Sequence, residues 1–153
     1  MIDSQDGAWD RVVCQEPIIH SDRQTSVFAE VYRVLRPGGL FAVSDICAAE
    51  NANTDIVKAA YARLGATSVW TASDCPAMAR EAGLEIAFVE ERASDIRSHC
   101  DKLAELLDRD AEQLDESLQL VRDNIAVWQD ALAAGHITWA CLVAEKPASD
   151  SSW

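Results

Sequence analysis

The chain has 153 residues, 49% of them apolar and 25% charged, with 26 acidic side chains against 13 basic and a formal net charge of -13. That length and balance suit one domain with a packed core and exclude wholesale disorder. A carboxylate excess of this size repels phosphate backbones and anionic lipid headgroups, which argues against nucleic acid or a membrane surface as a partner.

Residues Met1 to Gly7 lack the basic start and apolar stretch of a secretory signal, and no apolar run reaches the roughly 20 residues of a membrane span. Cys14, Cys47, Cys75, Cys100 and Cys141 are odd in number and far apart, the pattern of free thiols in a reducing cytoplasm. His20, His99 and His136 have no metal-binding spacing, and the adjacent His99 and Cys100 would splay apart on a helix, so no metal is expected.

In chain order, Trp9 to Cys14 is β-prone and ends before Pro17, which predicts a strand near 9–15. Ser21 or Asp22 can cap a helix over about 22–35, where Val27, Phe28, Val31, Val34 and Leu35 recur at three- and four-residue steps. Pro37-Gly38-Gly39 stops that helix, and Leu40 to Ile46 reads as a buried strand, making a parallel βαβ unit. A polar loop over Ala48 to Thr54 leads to a short helix over Asp55 to Leu64. A helix over about 73–82 then ends at Gly83, before a strand near 84–91. Residues 94–134 keep a helical period without Pro or Gly and predict two helices with a bend near Asp108 to Asp110. A last strand spans 137–145, and Lys146 to Trp153 reads as a frayed polar tail. The expected fold class is α/β with a mainly parallel sheet, in a single domain over residues 1–146.

Glu30 to Asp45, with its helix, Pro-Gly-Gly and strand, resembles the unit joining the fourth and fifth strands of class I S-adenosylmethionine-dependent methyltransferases. Cys14-Gln15-Glu16-Pro17-Ile18-Ile19-His20-Ser21 is similar to the end of the fourth strand in sarcosine/dimethylglycine and phosphoethanolamine N-methyltransferases. Ser94 to His99 and Gly135 to Ala140 resemble late segments of the sarcosine/dimethylglycine enzymes. The resemblance implies a partial Rossmann-like fold with its last strand antiparallel, methyl transfer from S-adenosylmethionine to a small amine, and three site residues. Gln15 stands where the family touches the cofactor, Glu16 where the phosphobase enzymes place an Asp against the substrate amine, and His20 where they place a catalytic histidine. The chemistry agrees: a carboxylate holds an ammonium, and a histidine accepts its proton near neutral pH.

Glu16 replaces the family's Asp, Pro17 follows it, and the N-terminal tyrosine partner of the histidine has no counterpart. Nor does the sequence contain the glycine-rich turn and acidic second-strand end that hold the cofactor in the family. The chain therefore reads as the C-terminal half of such an enzyme, either a truncated or split methyltransferase or a non-catalytic remnant that binds a partner.

Plainer readings stand beside the sharper ones. His20 as base competes with a histidine that only bonds nearby backbone, and Glu16 as amine ligand with a solvated loop carboxylate. Trp70, Trp128 and Trp139 form either a cation–π cage or simply core, with core favoured. Cys14 reads as buried filler rather than a nucleophile, and Asp108, Asp110, Glu112, Asp115 and Glu116 as a solvated helix face. The first strand carries no Pro or Lys to blunt pairing, so a homo-oligomer or a complementary N-terminal half is expected on that side.

Overall fold

The computed structural model describes residues 2–21, 23–66, 68–109 and 115–148. Strands β1 (Trp9–Gln15) and β2 (Leu35–Ala48) are parallel and joined through helix α1 (Gln24–Val34). Helix α2 (Thr54–Tyr61), a 3₁₀ turn at Ala62–Leu64 and helix α3 (Asp74–Glu81) lead into β3 (Glu85–Glu91). Helices α4 (Ala93–Arg109) and α5 (Glu116–Ala133) precede β4 (Ile137–Glu145). The sheet order is β1-β2-β4-β3.

The four strands stand where the sequence pattern put them, and the last is antiparallel as the resemblance implied, so the sheet is mixed rather than mainly parallel. β1, β2 and β3 point one way, and β4 lies between β2 and β3, antiparallel to both. The helix pair explains this. Arg97 bonds the Leu132 carbonyl, Asp101 accepts from Gln129 and Asp108 from Arg122, so α4 and α5 run side by side in opposite directions. Two antiparallel helices return the chain to the end of the sheet it left, and the next strand must run backwards.

A second correction concerns Pro37-Gly38-Gly39. Helix α1 ends at Val34, with Leu35 already extended, and Trp9 of β1 pairs with Leu35 while Arg11 pairs with Leu40. Four residues, Arg36 to Gly39, thus bulge out opposite Asp10, and the motif lies inside β2 instead of ahead of it. Gly38 has φ of 73°, and a Cβ on Gly39 would sit 2.8 Å from the Arg36 carbonyl oxygen, so both positions need glycine. The start of α1 also differs: its N-cap is Arg23 with no side-chain cap, although Ser21 Oγ accepts the Arg23 amide at 3.1 Å. Asp22, the other expected cap, lies outside the described residues, as do Asp110 and Glu112 of the acidic run.

Two apolar clusters fill the two sides of the sheet. On one, Phe28 and Val31 of α1 and Cys75 and Ala79 of α3 pack on Phe41, Val43 and Cys47 of β2 and on Ala140, Leu142 and Ala144 of β4. On the other, α2, α4 and α5 supply Val57, Tyr61, Ile96, Cys100, Trp128 and Leu132, which cover only Ile46 and Ala48 of β2 and Ile137 and Trp139 of β4. The rest of that second face is open: Val13 is 78% and Phe88 49% exposed, and Leu40, Ala42 and Val143 are half-buried. All five cysteines are thiols. No described helix is long and apolar enough to cross a membrane.

Lys146, expected to fray, is an anchor. Its Nζ donates to the carbonyls of Tyr32 and Leu35 at 2.8 Å each and lies 4.3 Å from the Tyr32 ring centroid. Its backbone pairs with Gly38 and Gly39. The ammonium thereby satisfies carbonyls that the end of α1 leaves without helical partners.

A second polar contact organises the loop after β1. Asp45 of β2 is 1% exposed, and its Oδ2 accepts the amides of Ile18 at 2.5 Å and Ile19 at 3.2 Å, while Oδ1 accepts the Ile46 amide at 2.8 Å. Ile18 points into the first cluster and Ile19 into the second, so one carboxylate pins a loop that straddles both cores. Burial pushes this carboxyl up to about 6 from 3.8, against the pull of the three amides.

Two outcomes follow. Replacing Lys146 by Met keeps the stem but strips the charge, and should cost about 1–3 kcal/mol in urea unfolding. For Asp45, the folded state holds the proton more tightly than the unfolded chain. The stability it contributes is therefore full below about pH 4 and declines as pH rises through about 6. Relative to Asp45→Asn, unfolding free energy should fall by about 1–3 kcal/mol across that window; a flat difference would contradict the assignment.

Candidate functional site

The carboxyl ends of β1 and β2 meet where the ladder breaks. Gln15, the last residue of β1, pairs with Ser44 and is exposed. The Glu16 amide still bonds the Ser44 carbonyl at 2.7 Å, but Glu16 itself has φ of 53°. That left-handed angle costs a non-glycine residue about 1 kcal/mol or more, and it is sustained by the Asp45 clamp two residues on. The turn delivers the half-buried Glu16 side chain to a cavity of about 130 Å3 bounded by α4, α5 and the end of β2.

The cavity is mainly apolar. Ile46, Ile96, Leu103 and Trp128 form walls, and its polar lining besides Glu16 is His99 and Asn124. Trp128 is held by a 2.7 Å bond from Nε1 to the Ala60 carbonyl and by stacking on Tyr61 at 5.6 Å between centroids. Helix α4 places His99 at the rim because Ile96 and Cys100, on the same face, are buried beneath it.

His20 faces elsewhere. It is exposed and lines a wider groove of about 590 Å3 along α1, with Cys14, Ser21 and Glu30. The three residues singled out in the sequence therefore share one loop and one edge of the sheet, but Glu16 and His20 open onto different concavities. The tryptophans do not converge either: Trp70 is buried in the first cluster, while Trp128 and Trp139 belong to the second. Cys14 packs on the first cluster, and burial raises its thiol, the opposite of what a nucleophile needs. Among the described residues, no group of three His, Cys, Asp or Glu side chains could hold a metal ion.

Sequence reasoning passed over two residues. Asp45 was visible as the one carboxylate inside an apolar strand, which requires buried donors nearby. His99 was visible in the three- and four-residue steps of Ile96, His99 and Leu103, which share one helical face.

Of the residues expected to meet S-adenosylmethionine, the sequence named one, Gln15. Gln15 stands exposed at the carboxyl end of β1, where such sheets bind ligands. No glycine-rich cradle accompanies it: Gly39 and Gly83 are packed against their own chain, and Gly38 belongs to the β2 bulge. By themselves these residues do not fit the whole cofactor.

Residues 1–43 match the family profile of the methyltransferase domain. Over 145 residues the chain is 25% identical to the sarcosine/dimethylglycine N-methyltransferase of Aphanothece halophytica, covering 92% of this chain and 52% of that one. A crystal structure from Galdieria sulphuraria, described as a sarcosine dimethylglycine methyltransferase, superposes with a TM-score of 0.88 at 22% identity, over 95% of this chain and 56% of the other. Phosphoethanolamine N-methyltransferase 2 of Haemonchus contortus, with phosphomonomethylethanolamine and S-adenosylhomocysteine bound, gives 0.83 at 16% identity over 95% and 35%. The chain thus spans about half the length of the curated relatives it matches. In sequence and in fold the chain is similar to the sarcosine/dimethylglycine N-methyltransferases, and its first 43 residues match the methyltransferase domain.

Proposed function

We propose that this chain supplies the amine-binding half of an S-adenosylmethionine-dependent N-methyltransferase acting on a small amine of the sarcosine/dimethylglycine type. The observation that carries the reading is the half-buried Glu16 carboxylate in an otherwise mainly apolar cavity at the carboxyl edge of the sheet. The volume of about 130 Å3 equals about four waters at about 30 Å3 each and falls well below the 300–1,000 Å3 of a drug-sized site. A small ammonium compound suits that space and that charge.

S-adenosylmethionine, when bound, supplies an electrophilic methyl group, with Gln15 at one edge of its seat. Glu16 holds the substrate cation, and Trp128 and Ile96 keep water from its methyl groups. His20 takes the amine's proton in the assembled enzyme, freeing the lone pair, which requires that assembly to bring the groove of His20 and the Glu16 cavity onto one substrate, because in this chain they open onto different concavities. Asp45 fixes the spacing of these groups by clamping Ile18 and Ile19 between them. The acidic composition and the five thiols support a cytoplasmic setting.

The open sheet face favours a covering partner. Among the described residues, β1 lies at the sheet edge, pairs only with β2 and exposes Val13. The complementary methyltransferase half is the occupant proposed; a second copy of this chain, or a remnant that binds another protein here, is the rival. Calorimetric titration with S-adenosylhomocysteine separates the enzymatic from the remnant reading. Binding by the chain joined to a glycine-rich half, absent with either alone, supports the former, and its absence throughout supports the latter. In light scattering, a stable monomer of 16.7 kDa would contradict the second-copy rival.

In the assembled enzyme, His20→Ala should lower kcat by about 10²–10⁴-fold with little change in KM, because proton transfer acts in the transition state. Glu16→Gln should instead raise KM for the amine about tenfold, since it removes charge from the cation's seat. Identical kinetic defects would contradict this division of roles.

A further inference from the structure

We infer that the surface completing this sheet is cationic as well as apolar, with Lys or Arg side chains that meet Glu85 and Glu145 at the rim of the open face. The inference rests on the reading that a complementary half covers this face, and it adds the chemistry by which that half is chosen.

Strand register brings the residues together. Val13 pairs with Ala42, Ala42 with Val143 and Val143 with Phe88, so an apolar row crosses all four strands. Side chains alternate between faces along a strand, and none of these four belongs to either packed cluster. The neighbouring row on the same face runs Arg11, Leu40, Glu145, Glu85. Two carboxylates thus stand directly opposite each other on β4 and β3, a pairing that destabilises a sheet. Among the described residues, neither has an ion pair. Lys146 follows Glu145 in the chain, but its Nζ is spent on the carbonyls of Tyr32 and Leu35. Arg11 stands across Leu40 from Glu145 and makes no ion pair with it.

A partner with apolar side chains over the row and cations over the two carboxylates removes exposed apolar area and the repulsion together. A second copy of the chain does not supply this chemistry. Each copy has a net charge of -13, so their approach is opposed.

The test is NMR titration of the isotope-labelled chain with two amphipathic helical peptides of equal length, one of Leu and Lys, the other of Leu and Gln. The Leu/Lys peptide should shift the amides of Val13, Ala42, Phe88 and Val143 and bind about fivefold or more tightly than the neutral one. Glu85→Gln with Glu145→Gln should weaken it about five- to tenfold. Asp123→Asn with Asp130→Asn, the same charge change on α5, should leave binding within about twofold. Without peptide, the Glu85→Gln, Glu145→Gln chain should unfold at no lower urea concentration than the wild type, because the pair gives the isolated chain nothing. Earlier unfolding would contradict that. If the Leu/Lys peptide shifts the row but the two Glu substitutions weaken it no more than the α5 pair does, the cationic match is refuted while a covering half stands. If neither peptide shifts the row, the inference and the covering-half reading fall together.

Discussion

The structure depends on one buried carboxylate. Asp45 takes three backbone amides, two of them from a loop that would otherwise bring unpaired N–H groups against an apolar interior. An unsatisfied buried amide costs about 1–3 kcal/mol, so the carboxylate offsets a penalty that neither Ile18 nor Ile19 could avoid by packing alone. Those isoleucines then enter opposite cores, which fixes the path of the chain between Glu16 and His20. Every candidate side chain at this edge is positioned by that clamp. Its position on β2, which pairs with both β1 and β4, ties the loop to the centre of the sheet.

The sheet and its helices explain why the chemistry collects at one end. α1 and α3 close one face, whereas α2, α4 and α5 close only the carboxyl end of the other, and the cavity lies where that partial cover meets the loop. The remaining open face, bordered by the edge of β1 that no other described strand pairs, is the side from which a glycine-rich half would complete the fold proposed above. Lys146 secures the opposite end of the same strand pair, holding the bulge at Gly38 and Gly39 and the end of α1 together. The two polar contacts therefore brace β2 at both ends, one against each connection of the β1–α1–β2 unit.

Much of this was legible in the residues, and the gaps have physical causes. The β-prone runs and the three- and four-residue apolar steps located all four strands and the helices, because local burial periodicity is written in neighbouring positions. The direction of β4 was implied only by the resemblance, since it depends on how α4 packs on α5 through contacts such as Arg122 with Asp108. Pro37-Gly38-Gly39 carried a clear break signal, but a break between helix and strand and a bulge within a strand use the same residues. Lys146 looked like tail because a cation among polar residues shows its solvent face in sequence and hides its carbonyl partners at Tyr32 and Leu35. Glu16 and His20 were singled out by resemblance, but the left-handed turn at Glu16, beyond which the two open onto different concavities, was not predictable from a Glu-Pro pair. His99 and Asp45 were readable only once the question became which polar residues sit on apolar faces.

The central claim is that the cavity beneath Glu16 seats a methylated amine. Titrating N,N-dimethylglycine into isotope-labelled protein and mapping amide and indole shifts by heteronuclear NMR tests it most directly. The account predicts shifts centred on Glu16, Ile46, His99, Leu103 and the Trp128 indole N–H, with the α1–α3 face unmoved. Shifts confined to the groove of His20 and α1, or none at millimolar ligand, would contradict it.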